Sequence, residues 1–299
     1  MMTMLVGLLL LLRPCAPLSL QTRVVGAAER IAERWDLGRV DWAAEVGLPD
    51  DVGASVLSLE PLSTSNHPLA WVSISQVGAE TGLTVWCGPL TDCPHLAARV
   101  DVGGGSLRIS CDFRPRLDGG YENADVEPAS RAAFAQKSTR EAYARQFFTP
   151  EMDAWRRSAI AGATVEHPRP SARVVSRTGS GARGSDDGSP IAGPLFFDVE
   201  KPLSDEAIAD AARTIDGAVD AMLGWLEDLS VDTASASSWM TSRLAYDRDC
   251  LVRAKVFSDA RASREAAFGP EVGLALAYAD AGKMDMIGHN TLGRGGTLG

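Results

Sequence analysis

Leu69 to Gln76 reads Leu-Ala-Trp-Val-Ser-Ile-Ser-Gln. Trp71, Ser73 and Ser75 fall on one face of an extended chain and Val72 and Ile74 on the other, and that period of two defines a strand. Leu83 to Cys87 follows across Gly78 to Gly82 as a hairpin partner, and Ser106 to Phe113 (SLRISCDF) alternates again after a turn at Gly103-Gly104-Gly105. Three antiparallel strands therefore stand near the middle of the chain. Upstream, Val24/Val25, Ala28, Ile31/Ala32 and Trp35 recur at helical spacing between Thr22 and Trp35, and Gly47 to Asn66 is rich in Pro, Gly and Asp. Downstream, helical spacing returns between Pro128 and Thr149, and His167-Pro-Arg-Pro170 must be irregular. Ala172 to Thr178 is strand-like, Gly179 to Gly193 is a low-complexity hairpin loop, and Leu195 to Val199 is the returning strand.

The clearest helix begins at Ser204, an N-cap with Asp205 and Glu206 in the first turn, where acids favour the positive helix end. Ile208, Ala211, Ile215, Val219, Met222 and Leu226 mark its apolar face. A second helix covers roughly Ser237 to Lys255, and a third opens at Pro270 and runs to about Asp280. Strands first and helices last give an α+β class, one antiparallel sheet with helices on its faces.

Composition narrows the function classes. The 299 residues are 45% hydrophobic and 23% charged, and 29 Lys+Arg against 39 Asp+Glu leave a net charge of −10 and a pI near 4.9. An acidic chain advertises no basic stripe for nucleic acid. Beyond the first dozen residues no apolar run approaches the roughly 18 residues a membrane helix needs. Cys15, Cys87, Cys93, Cys111 and Cys250 are odd in number and widely spread, so reduced thiols are expected rather than a disulfide scaffold. Leu8 to Leu12, followed by Arg13-Pro14-Cys15-Ala16, reads as a targeting segment, with an apolar helix of the fold as the alternative. The expected organisation is a targeting segment over 1–20, one domain over 21–288 and a disordered tail over 289–299 with little to bury.

The familiar chemical motifs fail on inspection. Gly179-Ser-Gly-Ala-Arg-Gly184 has dinucleotide-loop spacing, but Ser185 to Pro190 forbids the helix whose amides would hold a pyrophosphate. Cys87, Cys93 and His95 are close in sequence, yet a five-residue gap with no second cluster is a poor zinc pattern, and no metal is expected. There is no Gly-x-Ser-x-Gly elbow for a hydrolase. Carboxylates remain. Asp101, Asp112 and Asp259 sit at the ends of expected elements, and burial beside an apolar ligand raises a carboxyl's proton affinity toward what a donor near neutral pH requires. Taken alone, Asp259 also reads as a helix N-cap.

Three segments carry a resemblance: Arg248-Asp-Cys-Leu-Val252, Phe257-Ser-Asp259 and Phe268-Gly-Pro-Glu-Val272. In that order and spacing the chain resembles red chlorophyll catabolite reductase, of the ferredoxin-dependent bilin reductase group. Weaker similarity runs through Val72 to Ser75, Val85 to Cys87 and Asp112 to Asp118, so that roughly residues 67 to 280 are covered.

The resemblance implies an α/β/α sandwich with a linear tetrapyrrole held between the sheet and the C-terminal helices. It implies reduction of that pigment by electrons from reduced ferredoxin, an external donor, with protons from carboxylates and no bound cofactor. A plastid destination follows, which a signal-like leader suits; the secretory pathway is the alternative. Of the family's two acids at the reduced methine bridge, the second matches Asp259. The first falls on Ala98 by ungapped alignment, with Asp101 the nearest acid. A three-residue shift reverses the face on a regular strand. Asp259 and Asp101 are the expected catalytic pair, Arg108 an expected partner for a substrate propionate, and Phe257 and Phe268 expected pocket walls. Arg253, Lys255, Arg261 and Arg264, in a basic run with Arg243 and Arg248, are either a ferredoxin docking face or a solvated helix face. Two rivals stand beside the reductase: a tetrapyrrole carrier without turnover and a structural or secreted α+β protein. A homodimer is allowed for.

Overall fold

The computed structural model describes residues 18–40, 54–61, 67–88, 91, 93–115, 146–170, 173–174, 189–232 and 239–282. In chain order these form α1 (Leu18–Trp35), β1 (Leu37–Val40), β2 (Ala54–Pro61), β3 (Leu69–Val77), β4 (Glu80–Cys87), β5 (His95–Gly103) and β6 (Ser106–Arg114). Then come α2 (Pro150–Ile160), β7 (Val165–Glu166), β8 (Arg173–Val174), β9 (Ser189–Pro190), β10 (Phe197–Pro202), α3 (Asp205–Asp232), α4 (Trp239–Phe268) and α5 (Pro270–Ala281). An eight-stranded antiparallel sheet of order β1-β2-β3-β4-β5-β6-β10-β7 lies at the centre. Helices cover both of its faces, so the class is α+β and the layering α/β/α.

The alternation seen in β3 divides the molecule. One face of the sheet carries Val72 and Ile74, Leu83 and Val85, Leu96, Ala98 and Val100, Ile109 and Phe113, and Phe197 and Val199, all buried in one apolar core. Over it lie α1 (Val24, Ala28, Ile31) and the stripe of α3 (Ala211, Ile215, Val219, Met222, Leu226). Ser204 accepts the Ala207 N–H at 3.1 Å and so starts α3. Burying such side chains contributes roughly 1.5–3 kcal/mol each, and this layer holds the fold together. Phe113 extends it into an aromatic cluster with Trp155 of α2 (5.8 Å) and Trp225 of α3 (5.0 Å).

The other face lies under α4 and α5 and is mixed: Val56, Trp71, Val77 and Trp86 pack with Val252, Val272, Leu276 and Ala279 in a smaller apolar cluster, and a polar part lies beside it. A helix's last carbonyls have no intrahelical donors. In α5 the sheet supplies them: Trp71 Nε1 and Ser73 Oγ donate to the Ala279 carbonyl, and Trp86 Nε1 donates to that of Asp280 at 3.0 Å. Arg253 of α4 donates to Ala281 at 2.6 Å, a cation at the negative end of the helix dipole. The chain then leaves through Gly282 at φ +79°, where a Cβ would stand 2.1 Å from the Arg253 guanidinium.

Several expectations are corrected here. β5 was not anticipated, although HLAARVDVG alternates along its length, and β2 occupies part of the stretch taken as irregular. The expected strand 195–199 is displaced: β10 covers 197–202 and pairs with β6 and β7, while the short partner of β8 is β9. The helix expected over Ser237 to Lys255 continues to Phe268, because nothing in 256–267 is Gly or Pro. Asp259 is therefore interior to α4 and no N-cap. A helix starts at Pro150, capped by Thr149, where the expected one ended; 128–145 lie outside the described residues. α1 begins at Leu18, and Leu20 is buried in the core, so the boundary expected at residue 20 falls inside a helix of the domain. The Gly179–Gly184 loop, Cys15 and the tail 289–299 lie outside the described residues.

Candidate active site

A cavity of about 520 Å³ opens between the polar part of this sheet face and helices α4 and α5. Its floor is built by period two. Glu80, Gly82 and Thr84 come from β4, Ala97, Arg99 and Asp101 from β5, Arg108, Ser110, Asp112 and Arg114 from β6, and Asp198 from β10. The roof is Val256, Asp259, Ala260, Ser263 and Arg264 of α4, with Asp280 of α5. Pro170 and the segment Ile191, Ala192 and Phe196 close one side. The volume lies within the range that small-molecule sites occupy.

Ion pairs fix most of the charged lining. Arg99 bridges Glu80 (3.2 Å) and Asp280 (3.0 Å), joining β4, β5 and α5. Arg264 is buried and hydrogen-bonded to Glu80. Burial alone would raise the Glu80 pKa, but the Arg264 hydrogen bond and Arg99 outweigh it and hold the carboxyl below its ordinary value. Arg108 grips Asp198 with two bonds of 2.8 and 2.7 Å.

Asp112 is different. Its carboxyl is buried, and burial pushes its pKa up to about 6, against the opposing pull of Arg114, the Gly193 N–H and Arg169. The Gly193 N–H donates to Oδ1 at 2.8 Å, while Arg114 Nε stands 3.5 Å from Oδ2. Arg114 lies over the Trp86 ring at 5.4 Å, and burial lowers its own pKa. This is a carboxyl in the wall of a cavity with its proton affinity raised toward neutral pH, the direction a general acid requires.

The structure sorts the expected site residues. Asp101 and Asp259 both line the cavity, from floor and roof. Asp101 lies opposite Arg108 in the β5–β6 register. Asp259 is half exposed and ion-paired with Lys255 one turn back. Ala98 is on the wrong face for an acid: its side chain belongs to the apolar core, and the β4–β5 and β5–β6 registers run past it without a shift. The ungapped match at that position is thus out of phase with the sheet: Ala98 also borders the cavity, but its side chain belongs to the apolar core, and the alternating floor positions of β5 are 97, 99 and 101. Arg108 lines the cavity but is already engaged by Asp198. Neither Phe257 nor Phe268 is a wall: the Phe257 ring packs on Tyr278 at 4.9 Å, and Phe268 ends α4 with 37% exposure.

The expected docking run is also divided. Arg253 and Arg264 are buried, the first on the α5 carbonyls and under the Trp86 ring plane at 5.6 Å, the second on Glu80. Eleven residues, three helical turns, separate them, which puts both on the sheet-facing side of α4. Lys255 and Arg261 face outward, each paired one turn on, with Asp259 and Glu265. The side chains of Arg243 and Arg248 lie outside what the structure describes.

His95 opens β5, where Nδ1 accepts the Cys87 N–H (2.9 Å) and Nε2 meets Asp249 (2.8 Å). Among the described residues no three His, Cys, Asp or Glu side chains are placed to hold a metal. None of the described helices is long and apolar enough to cross a membrane.

No protein-family model and no curated protein matches the sequence. Among solved structures the chain is similar to phytochromobilin synthase from tomato, determined in complex with biliverdin, with a TM-score of 0.57 at 12% identity. The match covers 91% of this chain and 84% of that one, so the whole architecture is shared. What the two chains share is the fold, here an α/β/α sandwich around an antiparallel sheet.

Proposed function

We propose that this protein is a reductase of a linear tetrapyrrole, with reduced ferredoxin as the electron donor and red chlorophyll catabolite as the pigment that the motifs of α4 and α5 imply. The observation that carries the reading is Asp112: a buried carboxyl, its proton affinity raised toward neutral pH, in the wall of a cavity of ligand size between the sheet and the C-terminal helices. The pigment's conjugated system accepts the electrons, so the polypeptide needs to supply only a berth and protons. Each reduction adds two electrons, taken singly from ferredoxin, and two protons to a methine bridge. Asp112 supplies one proton, and Asp101 or Asp259, which open toward solvent, supplies or relays the other.

The polar part of this face suits the chemistry. Arg99, Arg108 and Arg264 are held by Asp280, Glu80 and Asp198 and stay in place as charge develops on the pigment, which is preorganisation rather than response. Ile191, Ala192 and Val256 give the apolar contact a pyrrole ring requires.

The test is anaerobic incubation with red catabolite and reduced ferredoxin, following the visible absorbance. Bleaching supports the reductase. Tight binding without bleaching replaces it with a carrier, and neither binding nor bleaching removes both. Biliverdin in a parallel incubation decides which open-chain pigment is preferred.

A further inference from the structure

Gly193 has a position that no other residue could take. A Cβ built on it would lie 1.9 Å from the Phe113 carbonyl oxygen and 3.2 Å from Asp112 Oδ1, so its backbone is pressed flat against β6. In that position its N–H points at Oδ1 of Asp112, at 2.8 Å. The same segment contributes Ile191, Ala192 and Phe196 to the cavity wall. One contact thus ties the wall to the carboxyl.

We propose that Gly193 is a positioning residue for proton donation: its amide occupies Oδ1 of Asp112, leaves Oδ2 as the oxygen that carries the transferable proton, and locks the Ile191–Phe196 wall to that carboxyl. This deepens the reductase reading and rests on it. A protonated carboxyl keeps its proton on one oxygen, and the oxygen that already accepts an N–H is the carbonyl-like one. When Oδ2 gives its proton to the pigment, the O–H bond breaks and a C–H bond forms on a carbon that has received an electron from ferredoxin. The negative charge left behind falls between the Gly193 amide and the Arg114 guanidinium, both already in place. The charged groups facing this carboxyl are Arg114 on its own strand and Arg169 from the segment before β8, with Arg99 and Asp280 acting on Arg114 from β5 and α5. A hydrogen bond to the ionised form favours it, so the amide also restrains how far burial can raise the carboxyl's proton affinity.

The experiment needs neither pigment nor ferredoxin for its first readout. In the full chain labelled with 15N, the Gly193 amide resonance should titrate with the same midpoint as the Asp112 carboxyl followed by infrared difference spectroscopy. Gly193→Ala should raise that midpoint by about one pH unit. With pigment and ferredoxin, the alkaline limb of the kcat profile in Gly193→Ala should move up by the same amount, with kcat lowered more than KM is raised. An amide that does not titrate with Asp112 in the unmodified protein overturns the inference, and that measurement stands even where the alanine variant fails to fold. Coupled titration without bleaching at any pH would instead sink the reductase reading and leave the Gly193–Asp112 contact intact.

Discussion

At the scale of single residues, Asp112 governs what this site can do. Asp112→Asn keeps an oxygen for the Gly193 amide and removes the transferable proton; kcat should fall by roughly 10²–10⁴-fold, the usual contribution of a general acid, while pigment still binds. Absorbance-monitored binding and turnover on one sample separate the two effects. The same group couples stability to pH. Above about pH 6 the native state bears a buried charge that the unfolded chain, with its carboxyl at the ordinary 3.8, carries in water. As pH falls through about 6 the native protein takes up a proton the unfolded one does not, so stability rises, levelling off below 3.8 where both states are neutral. The gain is about 3 kcal/mol. Denaturant titrations at pH 4 and pH 7.5 should show Asp112→Asn lacking that difference.

At the scale of elements, strand phase decides which substitutions are tolerated. An acid at position 98 would enter the apolar core beneath α1 and α3, so Ala98→Asp should lower stability by at least about 3 kcal/mol. Ala97→Asp, on the cavity face opposite Asp112 in the β5–β6 register, should cost less, because the like charge is relieved by pushing the Asp112 carboxyl further toward its protonated form. Equal unfolding midpoints for the two variants would contradict the assigned faces. Helix α5 gives a second case. Trp86→Phe keeps one aromatic ring but loses buried volume as well as the donor to the Asp280 carbonyl; the acceptor left short of a partner alone costs about 1–3 kcal/mol, and the cavity adds to it. Thermal unfolding should record the loss, together with weaker pigment binding, because Asp280 holds Arg99 in the cavity floor.

At the scale of the whole molecule, the two sheet faces divide the labour. One is an apolar layer that stabilises the fold, and the other combines a smaller apolar cluster under α5 with a network of arginines and acids that leaves room for a ligand. On the proposed reading, an acidic protein meeting an acidic electron donor requires local positive charge, and among the described side chains on the outward side of α4 Lys255 and Arg261 carry it, each already partnered. Reversing both, Lys255→Glu with Arg261→Glu, should slow ferredoxin-driven turnover at low salt and have little effect at high salt. A response independent of ionic strength would remove α4 from the docking surface. Arg264 is unsuited to that test, since reversing a buried partner of Glu80 perturbs the fold itself.

Much was determined by local pattern alone. The alternation in β3, β4 and β6, the capped stripe of α3 and the proline start of α5 are rules of neighbouring residues, and they were sufficient for the α+β class. Asp101, Asp112 and Asp259 were legible as candidate acids, but only the first two stand near element ends, since α4 runs on past Asp259. Which of them is buried was not legible, because burial is set by residues far apart in sequence: Gly193 and Arg169 meet Asp112 and its strand neighbour Arg114 only after the sheet and its covering segment assemble. Arg253 and Arg264 had the same composition as a docking face and the opposite fate, since α4 turns them inward. Ala98 and Asp101 differ by three places in the chain, and only the pairing of β5 with β4 and β6 shows that one faces the apolar core and the other the cavity. Propensity and periodicity act between neighbours along the chain, whereas proton affinity, exposure and facing depend on what packs across space.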